Sequence, residues 1–171
     1  QAADHFAQAV RIAPFAEQKT QLLQQQGDAL YQAGDTMQAE AALLASVLTA
    51  KDKISPKHPL VVSTLSSLAL FYESQGLHQK AEPILRETLT LQEEIHGTNS
   101  IKTAETLDLL ATVKSNQNHL REALVFEEQS LRIKETILGT TNPALIDNLT
   151  HITEILVKEG RLEEADQTQQ R

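Results

Sequence analysis

The sequence predicts an all-α fold built from antiparallel helix pairs that repeat along the chain. The apolar residues are mainly Leu, Ile, Val and Ala, with only four Phe, two Tyr and no Trp, and this composition favours helix over sheet. A small residue recurs with a period of 42, at Ala39, Ala81, Ala123 and Ala165. A residue suited to a turn lies five positions before each of these, at Gly34, Gly76, Asn118 and Gly160.

The segment 58–99 shows how one period encodes two helices. His58-Pro59 predicts the start of the first helix, since proline suits the first helical position, and Gly76 predicts its end. Between them the apolar residues have helical spacing, at Leu65, Leu68, Ala69 and Tyr72. Gly97 follows a second apolar stripe, at Ala81, Ile84, Leu85, Thr88, Leu89 and Ile95. We therefore expect two antiparallel helices, with Ala69 and Ala81 small enough to let them approach closely.

The same pattern predicts the organisation of the whole chain. Asn142-Pro143 repeats the helix start seen at His58-Pro59, with a better capping residue. We expect a single domain of four units near 16–57, 58–99, 100–141 and 142–171, the last of them incomplete. Residues 1–15 resemble the end of a preceding second helix, and position 1 is Gln rather than Met. These features predict a segment of a longer array.

The third unit departs from the pattern of the second. Lys114 replaces the aromatic Tyr72, and Glu127 replaces the apolar Leu85, while Phe126 takes the place of Ile84. These exchanges predict locally altered packing, with the apolar bulk moved by one residue. The acidic pairs of the second helices are adjacent in sequence and diverge by about 100° on a helix, so we expect them on solvated faces rather than in a carboxylate dyad. They are Glu93-Glu94, Glu127-Glu128 and Glu163-Glu164.

The columns of this repeat resemble the tetratricopeptide repeat. That family pairs a Leu and a small residue in the first helix with a Gly at the turn and an Ala in the second helix, here Leu68-Ala69, Gly76 and Ala81. The 42-residue period and the stretch HPLVVSTLSSLALFYESQGLHQKAEPILRETLTLQEEIHG resemble the longer variant found in kinesin light chains. The resemblance covers residues 16–171 and implies a right-handed α-solenoid.

The resemblance also implies a binding groove, because first helices line the concave side of such a superhelix. The kinesin light chain pattern favours an Asn pair there, whereas this chain has Ser66-Ser67, Asp108-Leu109 and Thr150-His151, so cargo recognition is not carried over. The predicted groove is polar and rich in acids, which would suit a peptide with basic residues. Its candidate residues are Tyr31, Ser63, Ser66, Leu70, Glu73, Glu105, Asp108, Thr112, Ser115, Asp147, Thr150 and Glu154.

Composition and motifs argue against several other functions. A net charge of −8 does not suit nucleic acid, whose binding requires basic residues, and no apolar run is long enough to predict membrane insertion. The chain has no Cys, which excludes disulfides and leaves the compartment open between cytosol and periplasm. The sequence contains no phosphate-binding, zinc-binding or nucleophile-elbow motif, and the six His are not spaced as metal ligands. We expect no catalytic residues, no metal and no cofactor.

Three functions remain compatible with the sequence. The first is a non-enzymatic module that binds a peptide or protein segment in its groove. The second is a structural role through self-association of exposed end faces, and the third is a regulatory docking domain of a larger enzyme. The sequence alone identifies neither the partner nor the oligomeric state.

Overall fold

The computed structural model describes residues 15–170, and those residues contain eight α-helices and no strand. The prediction of an all-α chain of helix pairs is thereby confirmed. The prediction for residues 1–15 falls outside the described part of the chain except at Phe15, and the limits of the four units remain predictions. The helices are α1 (Ala16–Gln32), α2 (Thr36–Lys53), α3 (Pro59–Ser74), α4 (His78–His96), α5 (Ile101–Asn116), α6 (Leu120–Leu138), α7 (Ile146–Lys158) and α8 (Leu162–Gln169).

The helix ends follow the local chemistry of the sequence. Pro59 opens α3 as predicted, and His58 Nδ1 accepts a hydrogen bond from the backbone N–H of Leu60. At Pro143 the chain first forms a short 3₁₀ helix, Pro143–Leu145, and α7 begins only at Ile146. Asn118 adopts a φ of 62°, so it takes the left-handed conformation that glycine supplies at the corresponding turns of the other repeats. The predicted turn column is therefore confirmed.

The chain divides into two compact units, with the boundary between Ile84 and Leu85 within α4. In the first unit α1 packs on α2, and α2 packs on α3. Gly27 lies where α1 and α2 approach each other, and an added Cβ there would come within 2.6 Å of Leu43 Cγ. Glycine at this position therefore allows α1 and α2 to pack closely.

The second unit contains α5 to α8, which pack in sequential order. Its larger apolar cluster joins α6, α7 and α8 around Ala123, Leu131, Ile152 and Ala165. Phe126 packs on a smaller cluster that includes Leu107 and Ile133, as expected if the apolar bulk moves one residue along α6. This leaves the next position, Glu127, facing a different environment.

Candidate functional site

Five predicted groove residues lie on α1 and α3 of the first unit. Tyr31 is 39% exposed and packs edge-on against Phe71, with ring centroids 5.6 Å apart. Gln24 Nε2 on α1 donates hydrogen bonds to Ser63 Oγ at 3.2 Å and to Ser67 Oγ at 2.7 Å on α3. Ser66 and Glu73 are partly buried, and Leu70 is exposed. This side of the first unit is polar, with Leu70 and Tyr31 as its exposed apolar groups.

The other seven predicted residues lie on α5 and α7 of the second unit. Three of them, Thr112, Ser115 and Glu154, line one pocket of about 140 Å³. Glu105, Asp108, Asp147 and Thr150 do not line it, and Glu105 instead pairs with Lys102 at 2.9 Å. The structure therefore gathers part of the predicted set around a pocket.

This pocket lies between the first helices α5 and α7, and a residue of the second helix α6 contributes to its wall. Most of the wall is short or polar, which leaves the space open. The residues that line it are Ala111, Thr112, Ser115, Asn116, Glu127, His151, Glu154, Ile155 and Lys158. We refer to it below as the Glu127 pocket.

Glu127 belongs to a polar network that connects α5, α6 and α7. Asn148 lies at its centre and donates from Nδ2 to Asp108 Oδ1 and to Glu127 Oε2, both at 2.7 Å. Lys134 Nζ donates to Asp108 Oδ2 at 2.7 Å and to Asn148 Oδ1 at 2.5 Å. His151 Nδ1 lies 3.1 Å from the remaining oxygen of Glu127, Oε1. The amide of Asn148 thus has both its donors and its acceptor engaged.

Burial sets the electrostatics of this network. The side chain of Glu127 is 1% exposed, and burial raises the pKa of its carboxyl group. The negative charge of Asp108 raises this pKa further, whereas the hydrogen bonds from Asn148 and His151 lower it. The net direction is upward, so Glu127 holds its proton more readily than an exposed glutamate does.

Two predictions from the sequence change as a result. The expectation that Glu127 lies on a solvated face is wrong, because Asn148 supplies a buried partner for its carboxylate. The sequence predicts that Asp108 offers a charge to a ligand, but both of its oxygens accept internal hydrogen bonds. Two columns of the repeat carry a sequence signal for the pairing of Glu127 with Asn148. One column contains Leu43, Leu85 and Glu127, and the other contains Thr64, Thr106 and Asn148, so the acid and the amide both depart from the repeat pattern.

The described residues give two further observations. Across residues 15–170, no set of three His, Asp or Glu side chains is arranged to hold a metal ion. Within the same range, none of the helices combines the length and the apolar character needed to cross a bilayer.

Repeated helix pairs with a small-residue column and a glycine-like turn define a helical-repeat protein. Residues 60–136 match the tetratricopeptide repeat model, so this segment is similar to that family. A comparison with curated protein sequences finds no significant match.

Solved structures show the same fold over the length of the chain. BtubC (BKLC) from P. vanneervenii has a TM-score of 0.86 at 15% identity, over 96% of this chain and 68% of that one. A Podosopora anserina protein described as a kinesin light chain with nearly identical TPR-like repeats has a TM-score of 0.84 at 18% identity, over 98% and 82%. Aspartyl phosphate phosphatase F from Bacillus subtilis has a TM-score of 0.77 at 15% identity, over 96% and 43%. The predicted resemblance to tetratricopeptide repeats of the kinesin light chain type is confirmed.

Proposed function

We propose that this chain binds a peptide segment of a protein partner, without catalysis, on the surface formed by α5 and α7. The tetratricopeptide fold itself indicates a role in protein–protein interaction or as a scaffold. The proposal that the peptide binds on α5 and α7 rests mainly on one observation, the Glu127 pocket between these two adjacent first helices. We call this surface the α5–α7 face, and it comprises Glu105, Thr112, Ser115, Asp147, Thr150 and Glu154.

Charge and side-chain size support a basic, extended ligand. Glu105, Asp147 and Glu154 are exposed on the α5–α7 face, and they would attract Lys or Arg residues and speed encounter more than they tighten binding. Thr112 and Ser115 are short, so a second backbone can approach α5. Asp108 is left out of this set because both of its oxygens accept hydrogen bonds within the partly buried network, whereas the ion pair between Glu105 and Lys102 is exposed to solvent.

Selection from a random peptide library tests this proposal. We expect the full chain to select peptides enriched in Lys and Arg, and the double variant Glu105→Lys, Glu154→Lys to lose their binding. A control with the same change in charge, Glu93→Lys with Glu163→Lys, alters exposed residues on second helices and should bind normally. Asp108 is avoided because its replacement would disturb the fold.

The two double variants separate a binding face from a general charge effect. Unchanged binding by a folded Glu105→Lys, Glu154→Lys variant would reject the α5–α7 face. Equal loss in both variants would also reject it, because net acidity alone would then explain the selection.

Self-association is the second candidate, and one groove of the second unit supports it. This groove, of about 590 Å³, runs along the 3₁₀ helix, α7 and α8, and includes Ile146, which is 60% exposed, and Leu149. We expect Ile146→Asp to abolish any rise in molar mass with concentration in light scattering. A wild-type chain that stays monomeric throughout the series would exclude this role.

The similarity to aspartyl phosphate phosphatase F is relevant to the third candidate, a docking domain of a larger protein. This chain covers 43% of that protein, so the same fold occurs there alongside further sequence. A docking role would use the α5–α7 face in the same way, and the peptide experiment applies to it unchanged.

A further inference from the structure

The size of the Glu127 pocket restricts what it can hold. Its volume of about 140 Å³ lies well below the roughly 300–1,000 Å³ of pockets that bury drug-sized ligands. A single side chain of a bound peptide is the natural occupant at this scale. The pocket opens between α5 and α7, where the proposed peptide would run.

The acceptors around the pocket define the chemistry of that side chain. Glu127 contributes a carboxylate at the wall, and Glu154 contributes a second carboxylate on α7. Ser115 adds a hydroxyl oxygen, and Thr112 keeps an acceptor lone pair while its hydroxyl donates to the Asp108 carbonyl at 3.0 Å. Because acceptors converge from the three helices α5, α6 and α7, the pocket favours a positively charged donor.

The bonding of Glu127 further distinguishes lysine from arginine. Asn148 occupies one lone pair of Oε2, and His151 lies against Oε1, so the paired geometry that a planar guanidinium requires is already taken. A compact ammonium needs only one lone pair from each of several acceptors, and it has three donors to place. The arrangement therefore suits lysine.

We propose that the Glu127 pocket receives the ammonium group of one lysine side chain of the bound peptide. This inference rests on the proposed function of the α5–α7 face, since the lysine belongs to the peptide held there. Glu127 and Glu154 are the carboxylates that bind the ammonium. Asn148 is a positioning residue, because it fixes the Glu127 carboxylate without lining the pocket.

Charges on all three helices that surround Glu127 make this binding depend on pH. Asp108 lies on α5, Lys134 on α6, and His151, Glu154 and Lys158 on α7. A bound ammonium favours the ionised form of Glu127, whose pKa is raised by burial in the free protein, so binding releases a proton. Affinity should therefore rise as pH increases from acidic to neutral values.

Titration with small probes followed by nuclear magnetic resonance tests the proposal on the full chain. The probes are the N-acetyl methylamides of lysine, arginine and norleucine, which share a backbone and differ in the head group. We expect saturable shifts at the His151 ring and at the backbone amides of Thr112 and Ser115 with lysine, weaker binding with arginine, and none with norleucine. Equal responses to lysine and arginine, or no localised response to lysine, would overturn the proposal.

Three variants assign the effect to the pocket. Glu127→Gln keeps the side-chain shape and Glu154→Gln alters an exposed residue, and each should weaken lysine binding about tenfold by removing a charge-assisted bond. Lys158→Met removes a like charge at the pocket and should tighten binding. Unchanged affinity in a folded Glu154→Gln variant contradicts the proposal even if Glu127→Gln fails to fold. Since the probes are not peptides, lysine binding without peptide selection would reject the proposed function alone, and the reverse result would reject only the pocket.

Discussion

Leu43 in the first unit and Glu127 in the second occupy the same register of the 42-residue repeat, two periods apart. Each side chain is 1% exposed, but Leu43 is stabilised by apolar packing and Glu127 by hydrogen bonds. Leu43 packs against the bare backbone of Gly27, whereas Glu127 is bonded by Asn148 and His151. The repeat therefore specifies where a side chain lies but not what it interacts with. A buried polar residue is tolerated only where its partners change with it.

The turn between paired helices shows a second contrast of the same kind. In the first unit Tyr72 donates from its hydroxyl to Glu40 Oε1 at 2.8 Å, and Lys80 Nζ lies 2.9 Å from the same oxygen. One period later Lys114 replaces the tyrosine and pairs with Glu122 at 3.1 Å. In this pair the lysine lies on the first helix, at the register of Tyr72, and Glu122 lies on the second helix, at the register of Lys80.

The largest predicted difference in stability is between variants of Asp108 and Ser66, which occupy the same register of the repeat. Asp108→Ala leaves the ammonium of Lys134, which is 12% exposed, without its carboxylate, and this should lower the free energy of unfolding by about 3 kcal/mol. Ser66→Ala removes only a partly buried hydroxyl and should cost less than about 0.5 kcal/mol. Urea denaturation of both variants measures the difference. Similar losses in the two would show that the network adds no stability of its own.

A smaller effect is expected at the close contact of the first unit. Gly27→Ala places a methyl group 2.6 Å from Leu43 Cγ and should cost about 1–3 kcal/mol by overpacking. If the clash is the cause, adding Gly27→Ala to Leu43→Ala should cost much less than adding it to the wild type. A double-mutant cycle in urea provides this comparison, and strict additivity would contradict the packing explanation.

The smallest expected effect concerns the Tyr72 hydroxyl. Tyr72→Phe removes its hydrogen bond to Glu40 and should destabilise the fold by about 1 kcal/mol. Burial and Glu40 together raise the pKa of this hydroxyl to about 12, so in the wild type ultraviolet titration should show one tyrosine ionising late. Tyr31→Phe is the matched control on a more exposed aromatic, and it should change stability by less than about 0.5 kcal/mol.

The sequence predicts the fold well because the fold depends on features that recur. Small residues such as Ala81 and turn residues such as Asn118 appear once per period, and their roles follow from size and backbone conformation alone. The site is only partly predictable, since Thr112, Ser115 and Glu154 follow from helix periodicity. The repeat column of Leu43 and Leu85 places Glu127 at a core position, but helix periodicity does not identify Asn148, 21 residues away, as the partner that lets a carboxylate occupy it.

The most direct test of the lysine pocket is the pKa of Glu127, measured through its side-chain carboxyl carbon by nuclear magnetic resonance. Because the Glu127 carboxyl group is buried, its pKa should lie above the ordinary value of 4.5. This pKa should fall when N-acetyl-lysine methylamide is added. The pH dependence of the free energy of unfolding should reflect the same raised pKa. Because the folded state holds the proton more tightly than the unfolded state, Glu127→Gln should gain stability relative to the wild type as pH rises above 4.5. A Glu127 pKa at or below 4.5 that does not respond to the lysine probe would contradict the proposal that this pocket receives a lysine ammonium group.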